Sequence, residues 1–281
     1  MHPGKEVRLR KIWKHDCCVI IPFDHAQYSG GTSGVDDVRR LTERIAGTQA
    51  DGILVTPGTL KQVASFVGNL GIVLRIDGGF TKYARGPADY GTQCPVPDAV
   101  RLGADAAIVF TFVGTPNERE SLIRLGRTAS EADAWGLPLF AEILPPSLLN
   151  NHFGSDIFPQ PAPGVDIASE TLDAVRLGAE AGADVIKTRF TGDPKAFREI
   201  VSKCAVPVLV AGGPLLEKRR TKMSLEEGVL QLAAESVQGG ARGIIFGRNV
   251  WLHPKMEKLI AALCAVVHEG ESVKNAWKLL R

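Results

Sequence analysis

The sequence predicts an α/β protein, and within that class a closed (β/α)8 barrel, or TIM barrel. Eight short apolar runs recur along the chain, and the stretches between them carry apolar residues at spacings of three and four, as amphipathic helices do. Strands that alternate with helices form a parallel sheet, and eight such units close into a barrel. We therefore expect residues 1–281 to form a single barrel domain with additional helices at its C-terminal end.

In chain order, the apolar runs predict strands at 18–23, 53–56, 72–76, 106–110, 139–143, 183–187, 206–210 and 243–246. The helical patterns include 38–46, 169–179, 194–203 and 225–237, with outer helices at 256–268 and 273–280. Segments 49–54, 103–108 and 182–186 resemble one another, since each places a small turn before a buried strand. An open doubly wound sheet is the alternative fold, but no GxGxxG pattern follows the first strand.

One predicted connection is much longer than the others. Residues 144–165 contain five prolines and show no helical pattern. Loops of this length in a compact domain are usually lids or interface segments. We expect this loop to follow the fifth strand at the catalytic face of the barrel.

Composition excludes several classes of partner. A net charge of +2 with dispersed Lys and Arg gives no electrostatic basis for binding nucleic acid or an anionic membrane. The apolar stretch 17–23 is too short for the core of a signal peptide, which argues against export. Five cysteines without a CxxC pair indicate reduced thiols, so we expect a cytoplasmic protein.

Lys187 is the most informative residue of the chain. It closes the apolar run 183–186, where a lysine is either a mispatterned surface charge or an amine placed for chemistry. The C-terminal ends of barrel strands build active sites, and partial burial there favours the neutral amine. A neutral amine attacks a ketone and forms a Schiff base.

Three other residues near predicted strand ends are candidates for the same chemistry. Asp24 follows the first strand and is placed to orient the amine or shuttle protons, unless it is a turn cap. Glu142, in the fifth strand, is a candidate general acid/base or an ion-pair partner of Arg189 or Arg75. Arg189 lies two residues beyond Lys187, where it either favours the neutral amine or binds an anionic group of the substrate. Asp77 fits loop geometry as well as catalysis.

The glycines after strands seven and eight predict a phosphate site. Gly212 and Gly213 follow the seventh strand, and Gly247 with Arg248 follows the eighth. Glycines let backbone N–H groups approach an anion, and barrels frequently build their phosphate site from these two loops. Arg248 is then placed to bind phosphate oxygens. The six histidines show no metal-binding spacing, so we expect no catalytic metal.

Several segments together resemble the DhnA-type class I aldolase family, which includes archaeal-type fructose-1,6-bisphosphate aldolases, 2-amino-3,7-dideoxyheptulosonate synthases and the autoinducer-2 phosphate thiolase. The matching segments are PFDH at 22–25, VIKT at 185–188, TGDP at 191–194, VAGGP at 210–214 and FGRNV at 246–250. They span nearly the whole chain in the family's order.

The resemblance implies a role for each matching residue. Lys187 would form the Schiff base, Asp24 would assist proton transfer, and His25 would belong to the substrate-binding residues. A substrate phosphate would be held by Gly212, Gly213, Gly247 and Arg248. Family members often assemble as rings, frequently decamers, so the resemblance implies a homo-oligomer.

The sequence departs from the family pattern at the fifth strand. Family aldolases usually carry a tyrosine there as general acid/base, and this chain has Leu144 at that place. Ala26 also replaces the usual glycine after His25. We expect a Schiff-base carbon–carbon lyase acting on a phosphorylated ketose-like substrate without a cofactor, in which Asp24 moves protons and Glu142 is the candidate to replace the missing proton donor. The alternatives are acyl transfer to coenzyme A, as in the thiolase branch, and a catalytically silent phosphate-binding barrel.

Overall fold

The computed structural model describes residues 2–26, 34–81, 83, 90–153, 164, 166–213 and 224–281, with backbone alone at 150–153. Parallel strands form a closed barrel in which each strand pairs with the next and the eighth returns to the first. The barrel strands of the described residues are β1 Cys18–Pro22, β2 Gly52–Val55, β3 Gly71–Arg75, β4 Ala106–Phe112, β5 Leu139–Leu144, β6 Val185–Arg189, β7 Val208–Ala211 and β8 Gly243–Ile245. The predicted (β/α)8 barrel is confirmed.

Helices lie between the strands and at both ends of the chain. They are α1 Pro3–Ile12, α2 Val38–Ala46, α3 Pro57–Val63, α4 Val96–Arg101, α5 Glu118–Ala134, α6 Pro146–Phe153, α7 Ile167–Glu180, α8 Pro194–Ser202, α9 Leu225–Gln238, α10 Arg248–Trp251, α11 Met256–Glu269 and α12 Val273–Trp277. A two-stranded ladder of Asp77–Gly78 with Gly91–Thr92 follows β3. None of the helices in the described ranges is long and apolar enough to cross a lipid bilayer.

Two expectations about loops and strand ends were wrong. The connection 144–165 showed no helical pattern, yet α6 occupies its first part, beginning at a proline that is compatible with a first helical turn. Residues 154–163 and 165 of that connection lie outside the described residues. The strand β6 also extends past Lys187 to Arg189, because Thr188 and Arg189 pair with Val210 and Ala211 of β7.

The N-terminal face of the barrel is closed by α1 and by three equivalent aspartates. Asp51, Asp105 and Asp184 stand in the three similar turn segments, directly before a barrel strand or one residue from it. The carboxylate of each accepts the backbone N–H of a residue in the preceding strand, at 2.7, 3.0 and 2.8 Å. Each turn thereby fixes the start of two neighbouring strands, which explains why the segment recurs.

The barrel interior is filled by inward-facing apolar side chains. Successive residues of a strand point to opposite faces, so residues two apart share the interior. Beneath these side chains, Ile12 of α1 packs into the barrel and Leu9 and Trp13 cover it. The buried cluster comprises Ile12, Cys18, Ile20, Leu54, Val73, Ala106, Ile108, Phe140, Val185, Leu209 and Ile245. Apolar side chains therefore fill the N-terminal part of the barrel interior.

Candidate active site

Three charged side chains occupy the next inward-facing positions beyond the apolar interior, at the C-terminal end of the barrel. Arg75, Glu142 and Lys187 each lie two residues beyond an interior apolar residue of the same strand, so their side chains enter the barrel. The register pairs Glu142 directly with Lys187 across β5 and β6. Each of the three side chains is at most 7% exposed. Isolated charges at this depth would be strongly unfavourable, so pairing is required.

Arg75 connects three carboxylates. Its Nε lies 2.9 Å from Oδ2 of Asp24, its Nη1 lies 3.3 Å from Oδ1 of Asp77, and its Nη2 contacts Oε2 of Glu142. The other oxygen of Glu142 lies 2.6 Å from Nζ of Lys187. Glu142 therefore bridges a fixed guanidinium and the amine that the sequence singled out.

The charged cluster has three carboxyl groups and two cations. Burial disfavours the charge on Arg75, but Glu142, Asp24 and Asp77 outweigh it and raise its pKa above the ordinary value. Burial also raises the pKa of Asp77 to about 6, although Arg75 and the N–H of Phe110 oppose that rise. The Phe110 N–H donates to Asp77 Oδ2 at 2.6 Å. Burial therefore favours the protonated form of Asp77.

His25 lies buried beside Asp24, with its Nδ1 3.6 Å from Oδ1 of that carboxylate. Burial lowers the pKa of His25 to about 4; Asp24 opposes this effect, and the charges of Arg248 and Lys187 add to it. Its ring meets the ring of Trp251 edge-on at 5.8 Å. His25 is therefore a neutral imidazole at neutral pH, which can exchange hydrogen bonds but carries no charge to a substrate.

Arg189 and Arg248 form a cationic pair above Lys187. Nη2 of Arg248 donates to the carbonyl oxygen of Gly213 at 3.2 Å, and the guanidinium of Arg189 packs against the same glycine. Gly213 has a φ of +70°, and a Cβ there would lie 3.0 Å from Nη2 of Arg189. A Cβ at Gly247 would lie 2.9 Å from the carbonyl oxygen of Pro22. Both glycines are therefore required for close packing at the mouth.

Neither guanidinium of this pair has a carboxylate partner among the described residues. Nη1 of Arg189 and Nε of Arg248 are buried and lack a hydrogen-bond partner in that part of the chain. Burial, with a contribution from Arg248, lowers the pKa of Arg189 from its ordinary value. Two desolvated cations with unused donors create a strong local preference for an anion. This arrangement suits a phosphate group.

The part of the mouth formed by β4 and β5 is apolar. Phe110, Phe112 and Leu144 continue the inward columns of β4 and β5 toward the mouth. Their cluster also contains Phe80, Tyr90, Leu148 and Leu149. The Tyr90 ring packs edge-on against Phe112 at 5.4 Å. Leu144, the departure from the family pattern noted above, thus lies within an apolar cluster.

The structure brings the sequence candidates to one end of the barrel but arranges them differently from our expectation. We expected Asp24 to contact the amine, whereas its bond runs to Arg75, and Glu142 is the carboxylate paired with Lys187. Glu142 is also in contact with Arg75, one of the two ion-pair partners that the sequence offered for it. The role of Arg75 as the centre of the cluster was missed, although an arginine ending an apolar run is the same signal that marked Lys187. Pro214 of the phosphate motif lies outside the described residues.

The fold and the site define a (β/α)8 barrel enzyme of the Schiff-base type, in which a buried lysine faces the catalytic mouth. Residues 18–253 match the DeoC/LacD family of aldolases. Because this match spans most of the chain, the protein belongs to that family, and it is a class I aldolase-type enzyme.

Similar proteins include both synthases and a thiolase. A 2-amino-3,7-dideoxy-D-threo-hept-6-ulosonate synthase of Halobacterium salinarum is 32% identical over 97% of this chain and 95% of its own length. A 3-hydroxy-5-phosphonooxypentane-2,4-dione thiolase of Yersinia enterocolitica is 27% identical over 98% of this chain and 86% of its own.

A solved structure shows the chemistry of a similar barrel. An archaeal fructose-1,6-bisphosphate aldolase with its catalytic lysine covalently bound to the carbinolamine intermediate superposes with a TM-score of 0.78. It is 26% identical and covers 94% of this chain and 99% of its own. The resemblance inferred from the sequence segments is thereby confirmed.

Proposed function

We propose that the protein is a class I aldolase in which Lys187 forms the Schiff base with the ketone of a phosphorylated, ketose-like substrate. The observation that carries this proposal is the buried pair of Lys187 and Glu142, 2.6 Å apart, beneath the two guanidiniums of Arg189 and Arg248. A purely structural ion pair would explain the burial of Lys187 and Glu142. It would not explain the two guanidiniums with unused donors at the C-terminal mouth, where barrels place their active sites.

The proposed reaction begins with proton transfer inside the pair. Glu142 takes a proton from Nζ, and the neutral amine attacks the ketone carbon to give a carbinolamine. Glu142 returns a proton to the departing hydroxyl, water leaves, and an iminium forms. Glu142, ionised again, then accepts the proton of the hydroxyl group on the β carbon while the bond between the α and β carbons breaks; the electron pair of that bond passes into the iminium as an enamine, an aldehyde is released, and Glu142 holds the proton that the enamine carbon later takes up. Protonation of the enamine carbon and hydrolysis release the second product and regenerate the amine.

Arg75 is a positioning residue in this scheme. It holds Oε2 of Glu142 and Oδ2 of Asp24, so that Oε1 of Glu142 is left facing Lys187. Asp24 sits between Arg75 and His25, where it supports the hydrogen-bond geometry around the reacting carbonyl group. Because the iminium stabilises the carbanion covalently, this mechanism needs no cofactor.

The phosphate of the substrate would bind between Arg189 and Arg248, with the backbone at Gly212, Gly213 and Gly247 close by. The unused buried donors of the two arginines support this assignment. Both guanidiniums offer planar donors that match phosphate oxygens.

Acyl transfer to coenzyme A is the second candidate function. The observation that favours it is Leu144, which leaves no hydroxyl at the position of the usual proton donor. The Yersinia relative is named as a thiolase. Release of acetyl-coenzyme A or another acyl thioester from a phosphorylated dione, dependent on added coenzyme A, would select this function over aldol cleavage.

Replacing Lys187 by methionine tests the proposed function. We expect Lys187→Met to lose turnover with every ketose phosphate that the wild type cleaves, while its circular dichroism spectrum stays native. Lys203→Met is the matched control, because Lys203 is exposed and its ion pair with Glu199 of α8 lies on the surface. Turnover by Lys187→Met near the wild-type rate would disprove the mechanism.

The expectations of a homo-oligomer and of a cytoplasmic location stay predictions. Light scattering of the purified protein measures the first of them.

A further inference from the structure

The three equivalent aspartates of the N-terminal face differ in their cationic partners. Asp184 pairs with Lys5 at 2.7 Å, and Asp105 pairs with Lys11 at 2.9 Å. Both lysines come from α1, so at two of the three turns an ammonium balances the carboxylate. No lysine reaches the carboxylate of Asp51 among the described residues, although Asp51 is as deeply buried as Asp105 and more deeply buried than Asp184.

At Asp51 two imidazoles stand where the other turns have an ammonium. Nε2 of His268, at the end of α11, lies 2.8 Å from Oδ2 of Asp51. The ring of His15, just before β1, stacks on the ring of His268 with centroids 4.2 Å apart. One ligand atom from each of the three residues lies within 4.8 Å of the others.

The second carboxylate oxygen of Asp51 supports the presence of a further ligand at this turn. Oδ1 is buried and has no hydrogen-bond partner in the described part of the chain, while the residue is only 1% exposed. The nearest lysine, Lys14, donates instead to the backbone carbonyl oxygen of Asp51 at 3.3 Å. A cavity of about 500 Å³ opens beside the cluster, lined in part by His15, Lys14 and Asn69.

We propose that His15, Asp51 and His268 form a binding site for a divalent transition-metal ion at the N-terminal face of the barrel. Two imidazole nitrogens and a carboxylate oxygen form a donor set that suits zinc, nickel or copper and disfavours magnesium and calcium. The adjoining cavity leaves room for water in the remaining coordination position. The thiol of Cys264 donates to the carbonyl oxygen of Gln49 at 3.4 Å and is not one of the three groups whose ligand atoms lie within 4.8 Å of one another.

A bound ion would join the segment before β1 to the C-terminal end of α11. It would supply at this turn the cation that Lys5 and Lys11 supply at the other two. The site lies at the end of the barrel opposite Lys187, so the role we infer is structural. An ion that binds the folded chain alone raises the midpoint of thermal unfolding.

Isothermal titration of the untagged, chelator-treated protein with zinc chloride tests the site, with thermal unfolding as a second readout. We expect one saturable site per chain and a higher unfolding midpoint with zinc, and neither effect with magnesium chloride. His15→Asn and His268→Gln should each weaken zinc binding at least about tenfold, since each removes one of three protein ligands. The glutamine retains a side-chain donor toward Asp51, and His15 is exposed, so both variants are expected to fold.

His2→Asn is the matched control. His2 is exposed and caps α1 by accepting from the N–H of Gly4, which asparagine can also do. Zinc binding that is unchanged in both His15→Asn and His268→Gln, or equally weakened in His2→Asn, would overturn the proposal. So would the absence of saturable binding by the folded wild type. Chelator treatment should leave turnover unchanged, so this test is independent of the proposed function.

Discussion

Nζ of Lys187 lies 2.6 Å from Oε1 of Glu142, and the second oxygen of the same carboxylate contacts Arg75. Parallel pairing of β5 and β6 places the two residues side by side, so the contact is built into the strand register. Glu142 is thus held by Arg75 through one oxygen and faces the amine of Lys187 with the other. A carboxylate fixed in this way can pass protons to and from the amine without a change of backbone geometry.

Glu142→Gln should slow the reaction and leave substrate binding nearly intact. The amide keeps the shape of the side chain but cannot carry a proton between Nζ and the carbinolamine. We expect kcat to fall about 10²- to 10⁴-fold with a small change in KM, as is typical when a general acid/base is lost. Steady-state kinetics measure both constants.

Tyr90→Phe is the comparison for that experiment. The ring of Tyr90 belongs to the apolar cluster that contains Leu144. Its phenol is therefore the alternative proton donor near the mouth in the described part of the chain. A large loss of kcat in Tyr90→Phe, with Glu142→Gln close to wild type, would assign proton transfer to the phenol instead.

Arg75→Met should destabilise the folded protein by about 3–5 kcal/mol, because it leaves three buried carboxyl groups without their shared cation. Urea unfolding followed by circular dichroism gives the free energy of unfolding. Arg101→Met is the control: its pair with Asp98 is exposed, at 76% and 45% of the two side chains, and is worth less than about 1 kcal/mol. Equal effects of the two substitutions would show that the cluster does not depend on Arg75.

Arg248→Met and Arg189→Met should each raise KM for a phosphorylated ketose by roughly 10- to 100-fold, the range for losing a charged hydrogen bond. An unphosphorylated analogue should be handled about equally by the variants and the wild type. Arg198→Met is the control, since Arg198 is an exposed residue of α8 that donates to the backbone of Gln238. A uniform loss with both substrates would place the phosphate elsewhere.

His25 should stay neutral in the folded protein down to a pH of about 4, and NMR titration of its ring, assigned with His25→Gln, measures this. Its pKa is lowered on folding, so the unfolded chain binds the extra proton first. The stability that it contributes is present above pH 6.5 and is lost as the pH falls from 6.5 toward 4, by on the order of 1–3 kcal/mol.

The pKa of Asp77 moves in the opposite sense on folding. Because it is raised, to about 6, its contribution is lost as the pH rises from 3.8 through 6. His25→Gln should remove the rise in stability that His25 contributes between pH 4 and 6.5, and it should leave the opposing contribution of Asp77 in place. A ring of His25 that titrates near 6.5 in the folded state would contradict the buried, neutral imidazole.

The sequence was sufficient to predict the barrel and the strand that carries Lys187, because apolar runs and amphipathic helices are local patterns. Arg189 and Arg248 could also be anticipated, since their strand positions fix the end of the barrel at which they lie. Which carboxylate pairs with Lys187 could not be predicted, because Asp24 and Glu142 both lie near strand ends in the sequence. The strand register places Glu142 beside Lys187, and Arg75 binds Asp24. The cluster of His15, Asp51 and His268 joins residues more than 200 positions apart, which no local pattern reveals.

Borohydride reduction in the presence of dihydroxyacetone phosphate and other ketose phosphates, followed by peptide mass mapping, tests the central claim most directly. Reduction converts an iminium into a stable secondary amine, so the account predicts a covalent adduct on the peptide that contains Lys187, absent from Lys187→Met. An adduct on another lysine, or a reaction catalysed at the normal rate with no trapped adduct on the folded wild type, would contradict it.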